Sequence, residues 1–163
     1  MSDLIQNWKK QKSSSSAAQD KKLKKQLQKH KGKALDKFAA QLHEQVFEQL
    51  DCLDCANCCT GLPPLVNNTD VSRIAKKLGM ANADFEAQYV TIDEDGDQVM
   101  NQSPCPFLLE DKHCSIYEFR PKACRTYPHT DEQFSSNLAY HVTNKRYCPA
   151  TFHILERLQL SLP

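Results

Sequence analysis

The chain has 163 residues, a formal net charge of +1, 40% hydrophobic and 25% charged residues. That fits one soluble globular unit with a modest core better than a disordered or membrane-embedded chain. No apolar run reaches the roughly 20 residues needed to cross a bilayer, and the first residues, MSDLIQNWKKQKSSSS, lack a secretory signal pattern. A cytoplasmic protein with reduced thiols is the expectation.

The near-neutral total hides an asymmetry. Residues 1–50 carry 11 Lys against 5 acids (+6), and residues 51–163 carry 10 Lys or Arg against 15 acids (−5). Ten lysines fall within residues 9–33, around the run Ser13 to Ser16, with few large apolar side chains. Such a segment buries too little surface to order itself alone, so residues 1–33 read as a basic flexible arm. Trp8 either docks onto the body or stays exposed.

From Ala34 the pattern changes. Leu35, Phe38, Ala39, Leu42, Val46 and Leu50 recur at three- and four-residue steps, which predicts an amphipathic helix over about 34–50. Pro63-Pro64 then forces an extended connection. Thr69 or Asp70 caps a short helix carrying Val71, Ile74 and Leu78 and closed by Gly79. Another short helix follows Asn82, with Phe85 and Tyr89 on one side. Tyr89–Ile92 and Gln98–Met100 flank Asp95-Gly96 as a hairpin. Phe107–Leu109 and Ser115–Tyr117 form a second candidate pair, and Phe152, Leu155 and Leu158 mark a C-terminal helix. The fold class expected is small, irregular α+β: short helices and hairpins gathered around a cysteine metal cluster, preceded by the basic arm and the amphipathic helix. The domain division expected is the arm, 1–33, and one cysteine-cluster domain, 34–163.

All eight cysteines lie between Cys52 and Cys148. In a chain read as cytoplasmic, such clustering points to metal ligands rather than disulfides. Cys52, Cys55 and Cys58 stand at C-x2-C-x2-C spacing with Cys59 adjacent, an interval that turns sulfurs toward one centre in zinc knuckles and iron–sulfur proteins. Cys105, Cys114, Cys124 and Cys148 are widely spaced and provide no second close pair, which weakens an ordinary zinc-finger reading. A C-x2-C-x2-C run with the distant Cys148-Pro149 resembles ferredoxin-type ligation. Side chains of Cys58 and Cys59 diverge, so two neighbouring centres are expected, with these two residues in different ones. Eight thiolates carry −8, which metal cations must largely offset. Arg120, Lys122, Arg125, Lys145 and Arg146 flank Cys124 and Cys148 as further compensation or as solvated charges.

The run Cys52-x2-Cys55-x2-Cys58-Cys59, then Cys105-Pro106-Phe107-Leu108, then Ile116-Tyr117-x2-Arg120-Pro121-x2-Cys124-Arg125-x-Tyr127-Pro128, and finally Tyr147-Cys148-Pro149, resembles the YkgJ-type cysteine-cluster family over about residues 51–150. The resemblance implies a zinc- or iron-chelating domain in which all eight cysteines have counterparts. Some longer relatives with this cluster are flagellin lysine methylases associated with iron–sulfur chemistry.

His113 and His129 read as surface or hydrogen-bonding imidazoles, since eight thiols already suffice for ligation. Asp93–Asp97 has glycine at the wrong place for an EF-hand and reads as a solvated hairpin turn. The tyrosines at 117, 127, 140 and 147 read as packing. The lysine arm reads as solvated, with nucleic acid or an acidic protein as the alternative partner; it carries no interleaved aromatics for base stacking. The function expected is a cytosolic protein holding iron, as an iron–sulfur centre, or zinc through eight cysteines in a structural, redox or sensing role. The alternatives are an iron–sulfur-dependent enzyme of methyl or electron transfer, and a zinc-stabilised adaptor. No catalytic residue is assigned.

Overall fold

A computed structural model describes residues 2–163. The chain is mostly helical with one small antiparallel sheet, in the order α1 (Asp3–Gln11), α2 (Ala17–Lys29), α3 (Lys33–Phe47), α4 (Cys52–Cys55), α5 (Asn57–Gly61), α6 (Asn68–Leu78), α7 (Asn82–Tyr89), β1 (Val90–Ile92), β2 (Gln98–Met100), α8 (Lys122–Thr126), α9 (Leu138–Asn144) and α10 (Pro149–Ser161). Single 3-10 turns occupy Tyr117–Phe119 and Phe134–Asn137. Among the described residues no helix is long and apolar enough to cross a membrane. Packing divides the chain into two units, one of residues 2–55 and 128–163 and the other of 56–127.

The first unit corrects the expectation of a flexible arm. Residues 3–11 and 17–29 are helical, and Ile5, Trp8, Leu23 and Leu27 are buried. Four large apolar side chains are too few to order the arm by itself. They suffice here because α1 packs on α10, and α2 on α9, elements more than 100 residues away in sequence. Trp8 docks: its Nε1–H donates to the Lys145 carbonyl at 2.8 Å, giving the buried indole the partner it needs. Gln26 Nε2 donates to the carbonyls of Gln159 and Leu162, at 3.2 and 2.7 Å. Ser16 and Gln19 form a reciprocal capping box that starts α2.

The amphipathic stripe runs as expected along α3, where Leu35, Ala39, Leu42 and Val46 are buried, chiefly against α10. Gly32 precedes it at φ +137, a conformation that a side chain would strain. The Gly32 amide donates to Ser135 Oγ at 3.3 Å, and the Ser135 amide donates to Asp36 Oδ1 at 2.6 Å.

The second unit has its own core of Val66, Val71, Ile74, Ala75, Phe85, Met100, Phe107 and Ile116. Asn67, rather than Thr69 or Asp70, caps α6. Its side chain accepts from the Asp70 amide while the Asp70 carboxylate accepts from the Asn67 amide. Gly79 ends the helix at φ +71. The hairpin forms with Val90 opposite Met100 and Ile92 opposite Gln98. Its turn is a closed acidic loop: Asp93 Oδ1 accepts from the amides of Asp95 and Asp97 at 3.0 and 2.9 Å.

The extended stretch imposed by Pro63-Pro64 lies along the free edge of β2. The Val66 amide donates to the Gln98 carbonyl at 2.9 Å, and the Met100 amide to the Pro64 carbonyl at 3.0 Å. The second candidate hairpin reduces to one bridge, Leu108 to Cys114, with the Leu109 amide on the His113 carbonyl and the Ser115 amide on the Phe107 carbonyl, both at 2.8 Å, before the chain turns at Tyr117–Phe119. Phe85, Tyr89 and Phe107 form an aromatic cluster with centroids 4.9–6.3 Å apart, holding the end of that segment to α7.

Candidate metal centres

All eight cysteines carry thiols and none is joined in a disulfide. Packing places Cys58, Cys59, Cys105, Cys114 and Cys124 in the 56–127 unit, and Cys52, Cys55 and Cys148 in the other.

In the 56–127 unit, Ala56 takes a left-handed conformation, φ +49, and α5 starts directly after it. Cys58 and Cys59 are therefore successive helical residues, about 100° apart around the axis. Their thiols nonetheless hydrogen-bond, and that bond is the main reason the Cys59 thiol is lowered to about 7. The Cys105 amide donates to the Cys59 carbonyl at 2.8 Å, tying the loop after β2 to α5. Cys114 follows on the bridge with Leu108, and Cys124 sits in α8 with its amide on the Pro121 carbonyl at 3.0 Å.

Three of these thiols feel charge on Cys59. Burial pushes the Cys124 thiol up to about 12, and charge on Cys59, Cys105 and Cys114 adds to the rise. Cys105 is raised by burial and then by Cys59 and Cys114; Cys114 is raised by burial and by Cys59. The Arg120 guanidinium opposes the rise at both Cys114 and Cys124. Three stretches of chain thus bring four sulfurs into one field, where a second thiolate is costly without a cation. Among the described residues no three Cys, His, Asp or Glu side chains already stand in an arrangement that holds a metal ion. The fit therefore rests on donor chemistry. Four soft thiolate donors suit zinc or an iron–sulfur centre and do not suit calcium or magnesium.

Backbone amides counter the rise at three of the cysteines: those of Phe107 and Leu108 at Cys105, of Ile116 at Cys114, and of Thr151 and Ala150 at Cys148. Amides just after each cysteine thus favour its thiolate.

Segment 119–122, which leads into Cys124, is held by a buried carboxylate. Asp70, 1% exposed, accepts from the Lys122 amide at 3.1 Å and from Arg73 at 2.6 Å. The same Arg73 nitrogen reaches the carbonyls of Phe119 and Arg120 at 3.3 and 2.9 Å. Arg120 itself turns back onto the Tyr117 carbonyl at 2.5 Å and stacks 3.8 Å over that ring. Sequence reasoning read Arg120 as charge compensation or a solvated charge and missed the Asp70–Arg73 clamp. The only signal was Asp70 at the start of a helix, where capping already accounts for it.

In the other unit, Cys52 and Cys55 occupy α4, a single turn started by Asp51, whose carboxylate accepts the Leu53 amide at 2.9 Å. Cys148 is buried and stands just before α10, with Pro149 at the first helical position. Burial raises its thiol and charge on Cys55 raises it further. The Thr151 amide and hydroxyl, with the Ala150 amide, oppose this. The Thr151 hydroxyl is in turn set by Asn144 Nδ2 at 3.2 Å. The His129 ring lies 6.2 Å from Tyr140, and in the 56–127 unit His113 pairs with Asp111 at 3.4 Å on an exposed turn.

The family model CxxCxxCC, described as "Putative zinc- or iron-chelating domain", matches residues 51–149, more than half of the chain. No curated protein and no solved structure matches. The chain belongs to the CxxCxxCC family.

Proposed function

We propose that this member of the family chelates iron, as an iron–sulfur centre, or zinc through its eight cysteines and serves a structural, redox or sensing role in the cytoplasm. Cys59, Cys105, Cys114 and Cys124 form one four-thiolate set, and Cys52, Cys55, Cys58 and Cys148 supply the remaining thiols. The observation that carries this reading is that eight free thiols lie within the matched domain, and that Cys59 and Cys105 are joined through the backbone, with Cys105, Cys114 and Cys124 all feeling charge on Cys59.

Each part of the chain's own chemistry supports it. Amides of Phe107 and Ile116 stabilise two of the thiolates, Arg120 offsets charge at Cys114 and Cys124, and the Asp70–Arg73 clamp keeps α8 in register. When bound, a metal cation neutralises the thiolates and links α5, the loop after β2 and α8, so that its binding free energy becomes folding free energy.

The test is anaerobic purification of the full chain, followed by metal and acid-labile sulfide analysis and a visible spectrum. Broad visible absorbance with stoichiometric iron and sulfide identifies the iron–sulfur form, and a colourless protein with stoichiometric zinc identifies the zinc form. Substoichiometric content of both metals overturns the proposal.

A further inference from the structure

The face of α2 that points away from the body has a charge pattern that metal binding does not use. At 100° per residue, Leu23 and Leu27 lie on the buried side, and Lys21, Lys22, Lys24, Lys25 and Lys29 fall within an arc of about 160° on the other. All five are exposed. The helix carries a single acid, Asp20, which lies outside this arc. Its carboxylate is taken by Lys145 Nζ at 2.6 Å and by Arg146 at 2.7 Å. The one carboxylate of the helix is therefore engaged outside the arc, and burial of the opposite face fixes the direction of the lysines.

From these observations we propose that the outward face of α2 binds the phosphate backbone of a duplex nucleic acid. Lys21, Lys25 and Lys29 lie one above another, spanning about 12 Å along the axis at 1.5 Å per residue. At 3.4 Å of rise per phosphate on one strand, that distance covers about four phosphates. A single strand is disfavoured as the ligand, because the arm's one large aromatic, Trp8, is buried and offers no stacking platform. A membrane surface is disfavoured because the arc lacks the apolar side chains that an interfacial helix inserts. The contact reads charge rather than sequence, since it consists of flexible lysines without groups placed for base edges.

The test uses the metal-loaded full chain and a labelled 20-base-pair duplex of random sequence, titrated by fluorescence anisotropy from 50 to 200 mM NaCl. Four phosphate contacts give a log–log salt slope of about −3.6, a loss of about 10²-fold in affinity over that range. K21Q/K25Q/K29Q flattens the slope by about 2.7, and K21R/K25R/K29R retains it; circular dichroism confirms that both variants are folded. Three results overturn the proposal: no binding at 50 mM NaCl, binding unchanged in the glutamine variant, or displacement of the duplex by poly-glutamate or anionic vesicles at equal charge concentration.

Discussion

Replacing Asp70 with Ala tests whether the approach to Cys124 is held from α6. The carboxylate is 1% exposed and accepts from three donors: the Asn67 amide at 3.2 Å, the Lys122 amide at 3.1 Å and the Arg73 guanidinium at 2.6 Å. Its removal leaves two amides without their acceptor and a guanidinium three-quarters out of water without its counter-ion. Breaking a buried pair costs about 3–5 kcal/mol. Arg73 keeps some solvent and two carbonyl partners, so the loss belongs at the lower end, about 3 kcal/mol.

Amide hydrogen exchange reads that loss locally. At 1.36 kcal/mol per decade, segment 119–124 exchanges about 10²-fold faster in Asp70→Ala, while α10 in the other unit stays at its wild-type rate. Asp70→Asn keeps an acceptor oxygen for the Lys122 amide and falls between the two. Exchange in 119–124 accelerated less than fivefold would mean that the clamp does not hold the segment, and that the position of Cys124 is set by something else.

Trp8→Ala removes the largest buried side chain of α1 and its bond to the Lys145 carbonyl, so unit 2–55/128–163 loses about 3–5 kcal/mol; a calorimetric change equivalent to less than 1 kcal/mol would mean that α1 contributes little. Loss of metal in Cys105→Ser and Cys124→Ser should be non-additive if, as proposed, the two thiols share a set, whereas Cys124→Ser combined with Cys148→Ser should lose more than either alone; analysis of metal per chain decides, and full retention in all variants refutes the assignment. His141 is fully buried with neither ring nitrogen hydrogen-bonded among the described residues, and burial followed by the nearby His129 lowers it to about 4. As pH falls the unfolded chain takes up this proton first, near 6.5, so stability intact above that value drops by about 3 kcal/mol down to pH 4. Urea unfolding of His141→Phe, which stacks as well on Phe134, should lose that acid-sensitive share, and an unchanged pH profile would contradict the role given to His141.

Local patterns were legible where one segment supplies both the signal and its consequence. The Leu35 to Val46 stripe, the Asp95-Gly96 turn and Gly79 as a stop each encode their own geometry through periodicity or a positive φ. The metal reading was legible for the same reason, because C-x2-C-x2-C spacing and the Ile116–Pro128 motif are written in contiguous residues. The grouping of thiols was not, since spacing says nothing about which of Cys105, Cys114, Cys124 and Cys148 share a field. That depends on the Cys105 amide meeting the Cys59 carbonyl and on Asp70 meeting Lys122, contacts between residues about 50 apart.

The amino-terminal segment shows how composition misleads when the deciding partner lies elsewhere in the chain. Ten lysines around four serines look like a solvated tail, and Leu23 and Leu27 alone make too narrow a stripe to argue otherwise. What orders α2 is distributed: Asp20 reaches Lys145 and Arg146, Gln26 reaches Gln159 and Leu162, and the two leucines bury against the carboxy-terminal helices. The same ordering changes what the lysines do. In a mobile tail their charges average over many positions, whereas on a helix docked by its opposite face they keep one direction and one spacing. A strand of phosphates can match such an arrangement, and a diffuse cloud gives it nothing to match.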